Sequence, residues 1–158
     1  KSFGQLKHYV NSHHLNIYMG KNKIRSLHSI DRKIIDNINK KRKIEYYNKP
    51  PNSFWYAIGS SWLDWCEVEE MTDWLEEGKY IYSINFDRNK VKTLSSESQL
   101  YEFDHKYGYS NGEDYRCINW IRFIAENRHI HGIELNPYFK YLPGLEWNDF
   151  WDVPSGAI

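Results

Sequence analysis

A chain of 158 residues and 19.1 kDa holds one domain, or one domain with an arm, and 41% hydrophobic against 27% charged residues is globular rather than disordered composition. No apolar run nears the roughly 20 residues of a membrane span, Lys1 to Gly20 lacks the continuous apolar stretch of a signal peptide, and two cysteines, Cys66 and Cys117, make neither a disulfide framework nor a zinc site, so a reducing, cytoplasmic setting is expected. The net charge of zero divides into 12 basic and 3 acidic residues over 1–50, and 9 basic and 18 acidic over 51–158; the two parts are expected to fold against each other, and a pI near 7.2 disfavours avid, unspecific DNA binding.

Residues 1–21 read as a polar arm, or a short helix and a loop; His8, His13 and His14 have no carboxylate or thiol nearby at ligand spacing. Lys23 to His28 reads as a short strand. Ile30, Ile34, Ile35 and Ile38 then recur at helical spacing, with Ser29 or Asp31 as cap and Lys40 to Lys43 matching the negative helix end. Lys49 to Asn52 is a rigid connector, and Ser53 to Ile58 a ring-dense strand. Gly59-Ser60-Ser61 turns into a helix that carries Trp62, Trp65, Cys66, Met71, Trp74 and Leu75 and ends at Gly78; Ser61 with Asp64 predicts its capping box.

Lys79 to Phe86 alternates as a strand, Asp87-Arg88-Asn89 is a turn, and Val91 to Leu94 is a second strand. Ser95 or Ser96 caps a helix with Leu100, Phe103 and Tyr107, closed by Gly108. Tyr109 to Asp114 reads as a polar loop, and Asp114 opens a helix carrying Ile118, Trp120, Ile121 and Ile124. His131 to Leu135 is a strand, in which Gly132 permits close backbone approach; His129 and His131 have no further ligands for a metal. Trp147 to Ile158 is a loop feeding a last strand. The pattern is α+β, with small mixed sheets and interspersed helices, no repeat, no glycine-rich phosphate loop and no nucleophile elbow.

Three segments carry the chemistry. Arg25-Ser26-Leu27-His28-Ser29 puts a histidine at a strand end; Phe54-Trp55-Tyr56-Ala57 is the ring-dense strand; Trp151-Asp152-Val153-Pro154-Ser155-Gly156 sets an acid between a tryptophan and a turn. A lone carboxylate in such a place is costly to bury without hydrogen bonds. This order of histidine, tyrosine and late acid resembles the His–Tyr–acid branch of the ADP-ribosyltransferase fold. Residues 22–158 also resemble a widespread microbial and viral family, through Lys49-Pro50, Trp62-Leu63-Asp64-Trp65-Cys66, Gly132-Ile133-Glu134-Leu135-x-Pro137-Tyr138 and the C-terminal Trp-Asp-x-x-Ser-Gly string.

The first resemblance implies an ADP-ribosyltransferase-like domain over 22–158, with NAD as substrate and no metal. Such an enzyme would cleave the nicotinamide–ribose bond and pass ADP-ribose to a macromolecular acceptor, protein or nucleic acid. It would place His28 on the ribose, Tyr56 on the nicotinamide face and Asp152 as the acid that stabilises positive charge on the ribose carbon. Ser29, Trp55, Trp62 and Ser155 would line the pocket, and Arg25 would meet the pyrophosphate. The family's acid is usually glutamate; Asp152 is one methylene shorter, and Glu134 and Glu146 are alternative carboxylates. Three other readings compete, one of them a two-carboxylate hydrolase using a pair from Asp64, Glu67, Glu134, Asp149 and Asp152. The wealth of Asn, Ile, Lys and Tyr suits an AT-rich phage or viral genome, hence a non-catalytic host-directed inhibitor acting in host cytoplasm. The basic first fifty residues suit a nucleic-acid-binding module.

Overall fold

Side chains two apart along a strand share a face of the sheet, and neighbours point to opposite faces. A computed structural model describes residues 3–20, 49–50, 53–69, 80–112, 116–151 and 153–158. Eight strands carry this alternation: β1 (Asn16–Gly20), β2 (Trp55–Ile58), β3 (Tyr80–Ser83), β4 (Val91–Leu94), β5 (Gly108–Ser110), β6 (Arg116–Ile118), β7 (Gly132–Leu135) and β8 (Ser155–Ala157). Six form a mixed sheet in the order β3-β1-β2-β8-β7-β4, parallel only between β4 and β7; β5 and β6 make a separate antiparallel pair. The chain is α+β, as expected.

Helices α1 (Phe3–Ser12), α2 (Ser61–Val68), α3 (Glu97–Tyr107) and α4 (Trp120–Glu126) supply the remaining regular structure, with 3-10 turns at Arg88–Lys90 and Trp147–Trp151. Ala57 and Ile17 pack with Val10 of α1 and Leu63 of α2. Leu94, Ile133 and Leu135 pack with Leu100 and Phe103 of α3 and Trp120 of α4, in a larger core completed by the fully buried Trp147. The opposite face of the sheet holds rings: Phe54 and Tyr56 are buried with Ile84, flanked by the half-buried Tyr18, Tyr82 and Phe86.

Three local expectations change. The short helix read in residues 1–21 is α1, and the loop expected after it is β1, which lies within the sheet between β2 and β3 because Val10 and Ile17 are buried against β2 and α2. The helix at Ser61 has Ser60 at its N-cap position with no side-chain cap; the Ser60 hydroxyl donates to Asp64 at 2.7 Å, and the Ser61 hydroxyl donates to the Pro154 carbonyl at 2.9 Å. The helix expected from Asp114 begins at Trp120, where Asn119 Oδ1 accepts from the Arg122 N–H; Ile118 belongs to β6. Its buried residues are Trp120 and Phe123, and Ile121 and Ile124 are exposed. The predicted strand at 23–28, the helix of Ile30 to Ile38 and the end of the helix at Gly78 lie outside the described residues.

Candidate functional site: a buried carboxylate with an arginine at the surface

Gly156 of β8 faces Tyr56 of β2 on one side and Glu134 of β7 on the other. Directly opposed residues project to the same face, so this rung sets a tyrosine and a glutamate astride a position with no side chain. The Tyr56 ring fills that gap; a Cβ on Gly156 would fall within it. Spanning the glycine strand, the Tyr56 hydroxyl donates to Glu134 Oε1 at 2.9 Å.

Arg88 completes the cluster. Its Nη1 donates to Glu134 Oε1 at 2.8 Å and its Nη2 to Oε2 at 2.7 Å, a two-pronged ion pair. The glutamate side chain is 1% exposed and the arginine side chain 55%. Phe86 packs on Tyr56 with ring centres 4.8 Å apart, and the Arg88 guanidinium carbon lies 5.3 Å from the Phe86 ring centre. Backbone holds the arginine in place: Asp87 Oδ1 accepts from the Asn89 N–H at 3.0 Å, Lys90 N–H donates to the Asp87 carbonyl, and His131 N–H donates to the Lys90 carbonyl at 2.6 Å.

The electrostatics follow from this burial. Burial pushes the Tyr56 hydroxyl far above its ordinary range, and the Glu134 charge raises it further. The Glu134 hydrogen bond raises the Arg88 pKa. Glu134 is therefore paired on both oxygens, and breaking such a pair costs roughly 3–5 kcal/mol when both partners are buried. Here the cost lies toward or below the low end, because water screens the half-exposed guanidinium. Each Glu134 oxygen accepts a hydrogen bond and the side chain is buried, so the carboxylate holds Arg88 and Tyr56 together.

The residues expected to build one pocket are spread over both faces. Tyr56 is buried among Phe86, Gly156 and Glu134, and offers no open ring face for nicotinamide. Trp55, one residue earlier, points to the other side, where it meets Trp151 edge-on at 4.7 Å with Lys49 Nζ 5.2 Å from its ring centre. Trp62 stacks on Trp65 at 4.8 Å and packs beside Leu63 of α2. Ser155 is buried with its hydroxyl donating to the Val153 carbonyl at 2.8 Å, a contact that shapes the turn into β8. Strand alternation alone separates Trp55 and Ser155 from Tyr56. Glu146 accepts from the Arg116 N–H at 2.7 Å, remote in the chain from this rung. Arg25, His28, Ser29 and Asp152 lie outside the described residues.

In the sequence Arg88 is a turn residue, and only the fold couples it to Glu134. The available signal was an acid inside the apolar string Gly132-Ile133-Glu134-Leu135, because a carboxylate on a central strand requires a cation. Among the described residues no group of three or more His, Cys, Asp or Glu is placed to hold a metal, and no helix is long and apolar enough to cross a membrane. Comparison of the chain with protein-family models, curated proteins and solved structures gave no match.

Proposed function

We propose that this chain is an NAD-directed ADP-ribosyltransferase-like enzyme, cleaving the nicotinamide–ribose bond and delivering ADP-ribose to a macromolecular acceptor. The observation that carries the reading is the ring-bearing sheet face of half-buried Tyr18, Tyr82 and Phe86, of which Phe86 lies against a guanidinium fixed at the surface by Glu134. Flat rings and an oriented arginine are the two chemistries a dinucleotide needs, stacking for its heterocycles and paired donors for its phosphates.

In this reading His28 binds the ribose and Asp152 stabilises the charge developing on its anomeric carbon, while Glu134 has a positioning role. The bond between nicotinamide nitrogen and ribose breaks with its electron pair leaving on nicotinamide; an acceptor nucleophile attacks the ribose carbon and loses its proton. The test is a proton NMR time course of NAD⁺ with the protein and with His28→Ala and Asp152→Ala. The expected result is line broadening that His28→Ala removes and free nicotinamide that Asp152→Ala abolishes. Unchanged NAD⁺ lines at millimolar concentration would defeat the proposal. The interaction-protein reading would then stand on the outward apolar face of α4, where Ile121 is 78% exposed and Ile124 48%.

A further inference from the structure

An arginine has five N–H donors in a fixed plane. Arg88 spends two on Glu134, one from each terminal nitrogen. The three others, including Nε–H, take no further acceptor among the described residues. Nε–H and the outer hydrogen of its neighbouring terminal nitrogen form a second fork on another edge of the same plane, suited to two oxygens of one phosphate.

We propose that this second fork of Arg88 binds the diphosphate of a nucleotide, with Glu134 as the residue that orients it. The proposal deepens the NAD reading and rests on it for the identity of the nucleotide. Three observations support it. The guanidinium is fixed before any ligand arrives, by a buried carboxylate, by Phe86 and by the hydrogen-bonded turn beneath it, so little freedom remains to be lost on binding. The buried charge of Glu134 is not explained by stability, since well-packed apolar residues commonly replace a buried ion pair without loss. The turn itself carries an exposed cation, Lys90, which offsets the carboxylate of Asp87, whose Oδ1 accepts from the Asn89 N–H. Because the second fork is separate from the first, an anion binds without pulling Arg88 away from Glu134. That sets the expected sign of a Glu134 substitution: losing the orienting group weakens the anion site, whereas a carboxylate that competed for Arg88 would strengthen it when removed.

The experiment uses the full chain with ¹⁵N-labelled arginine, the Arg88 Nε–H resonance being the one absent from Arg88→Lys. Inorganic pyrophosphate is titrated at constant ionic strength. The expected result is a saturable shift of that resonance in the wild type, and an affinity, read for every variant by titration calorimetry, about tenfold or more lower in Arg88→Lys and in Glu134→Gln, as loss of a charge-assisted hydrogen bond predicts. Arg122→Lys, an exposed arginine paired to Glu126 along α4, leaves the affinity unchanged. No saturable shift, equal affinity in Arg88→Lys, or tighter binding in Glu134→Gln would each overturn the proposal. So would an oligothymidylate that moves the resonance at lower phosphate concentration than pyrophosphate, since the surface would then be a nucleic-acid contact. Nicotinamide release separates the two proposals. Pyrophosphate binding without release supports the anion site and removes the transferase; release with an unchanged KM for NAD⁺ in Arg88→Lys keeps the transferase and removes the anion site.

Discussion

Tyr56 and Glu134 are 78 positions apart, and their contact is the shortest statement of why this sheet is built as it is. The hydroxyl gives a buried carboxylate a charge-assisted hydrogen bond, so Tyr56→Phe is expected to lower stability by about 1.5–3 kcal/mol, read from urea denaturation at neutral pH. The same contact sets an alkaline limit. In the unfolded chain Tyr56 ionises near its ordinary pKa of about 10, while in the folded chain burial and the Glu134 charge hold the proton to much higher pH. The unfolded form is therefore favoured increasingly as pH rises above about 10, by up to roughly 1.4 kcal/mol per pH unit. The stability gap between wild type and Tyr56→Phe should narrow above that pH and stay constant below it. A gap independent of pH up to 11 would contradict the buried hydroxyl.

At the scale of elements, the β2–β8–β7 rung depends on a missing side chain. Gly156→Ala places a methyl against the Tyr56 ring, which cannot retreat because Phe86 packs on it. The expected cost is about 1–3 kcal/mol of overpacking, with loss of the Tyr56–Glu134 bond seen as an altered Arg88 Nε–H signal. Smaller residues at 156 are not available, so no rescue within the strand is expected; Tyr56→Phe combined with Gly156→Ala should cost less than the sum of the two changes, since both act on one contact. Helix α4 offers a second contrast. Of the residues expected on this helix, Ile118, Trp120, Ile121 and Ile124, Ile118 belongs to β6, Trp120 is buried together with Phe123, and Ile121 and Ile124 are exposed. Phe123→Ala should cost about 3–5 kcal/mol and Ile121→Ala less than about 0.5 kcal/mol, measured by thermal or urea unfolding.

For the whole molecule, the central position of β8 has the largest consequence. Its three residues join β3-β1-β2 to β7-β4, and Ile158 continues the join by exchanging hydrogen bonds with Phe54 at 2.7 and 2.9 Å. A chain cut before Val153 loses the only strand pairing between those two parts of the sheet among the described residues. It is expected to lose cooperative unfolding, and the sharp thermal transition of the longer chain should become broad or vanish; an unchanged transition would show that the helices alone unite the two halves. The charge division between residues 1–50 and 51–158 works at this scale too. Lys7 of α1 bonds Asp64 at 2.9 Å and Glu67 at 2.7 Å on α2, an example of the early basic part meeting the later acidic part.

What the sequence determined by itself were the features set by neighbouring residues. Short β-prone runs bounded by turn residues placed β4, β7 and the ring-dense strand, Ser96 capped α3 through the Gln99 N–H, and Gly108 ended that helix, because capping and strand propensity act within a few residues. Local signals also failed where tertiary burial chose another face, as with Ile121 and Ile124, or where a polar-looking segment gained a sheet partner, as with β1. The site was legible only in parts. Tyr56 and Glu134 could each be singled out, but a strand order in which the last residues of the chain lie between them is not written in any local pattern. Only the tertiary structure decided that Gly156 separates them, that Trp55 and Ser155 face away, and that Arg88, read from sequence as a turn residue, is the cation the buried glutamate requires.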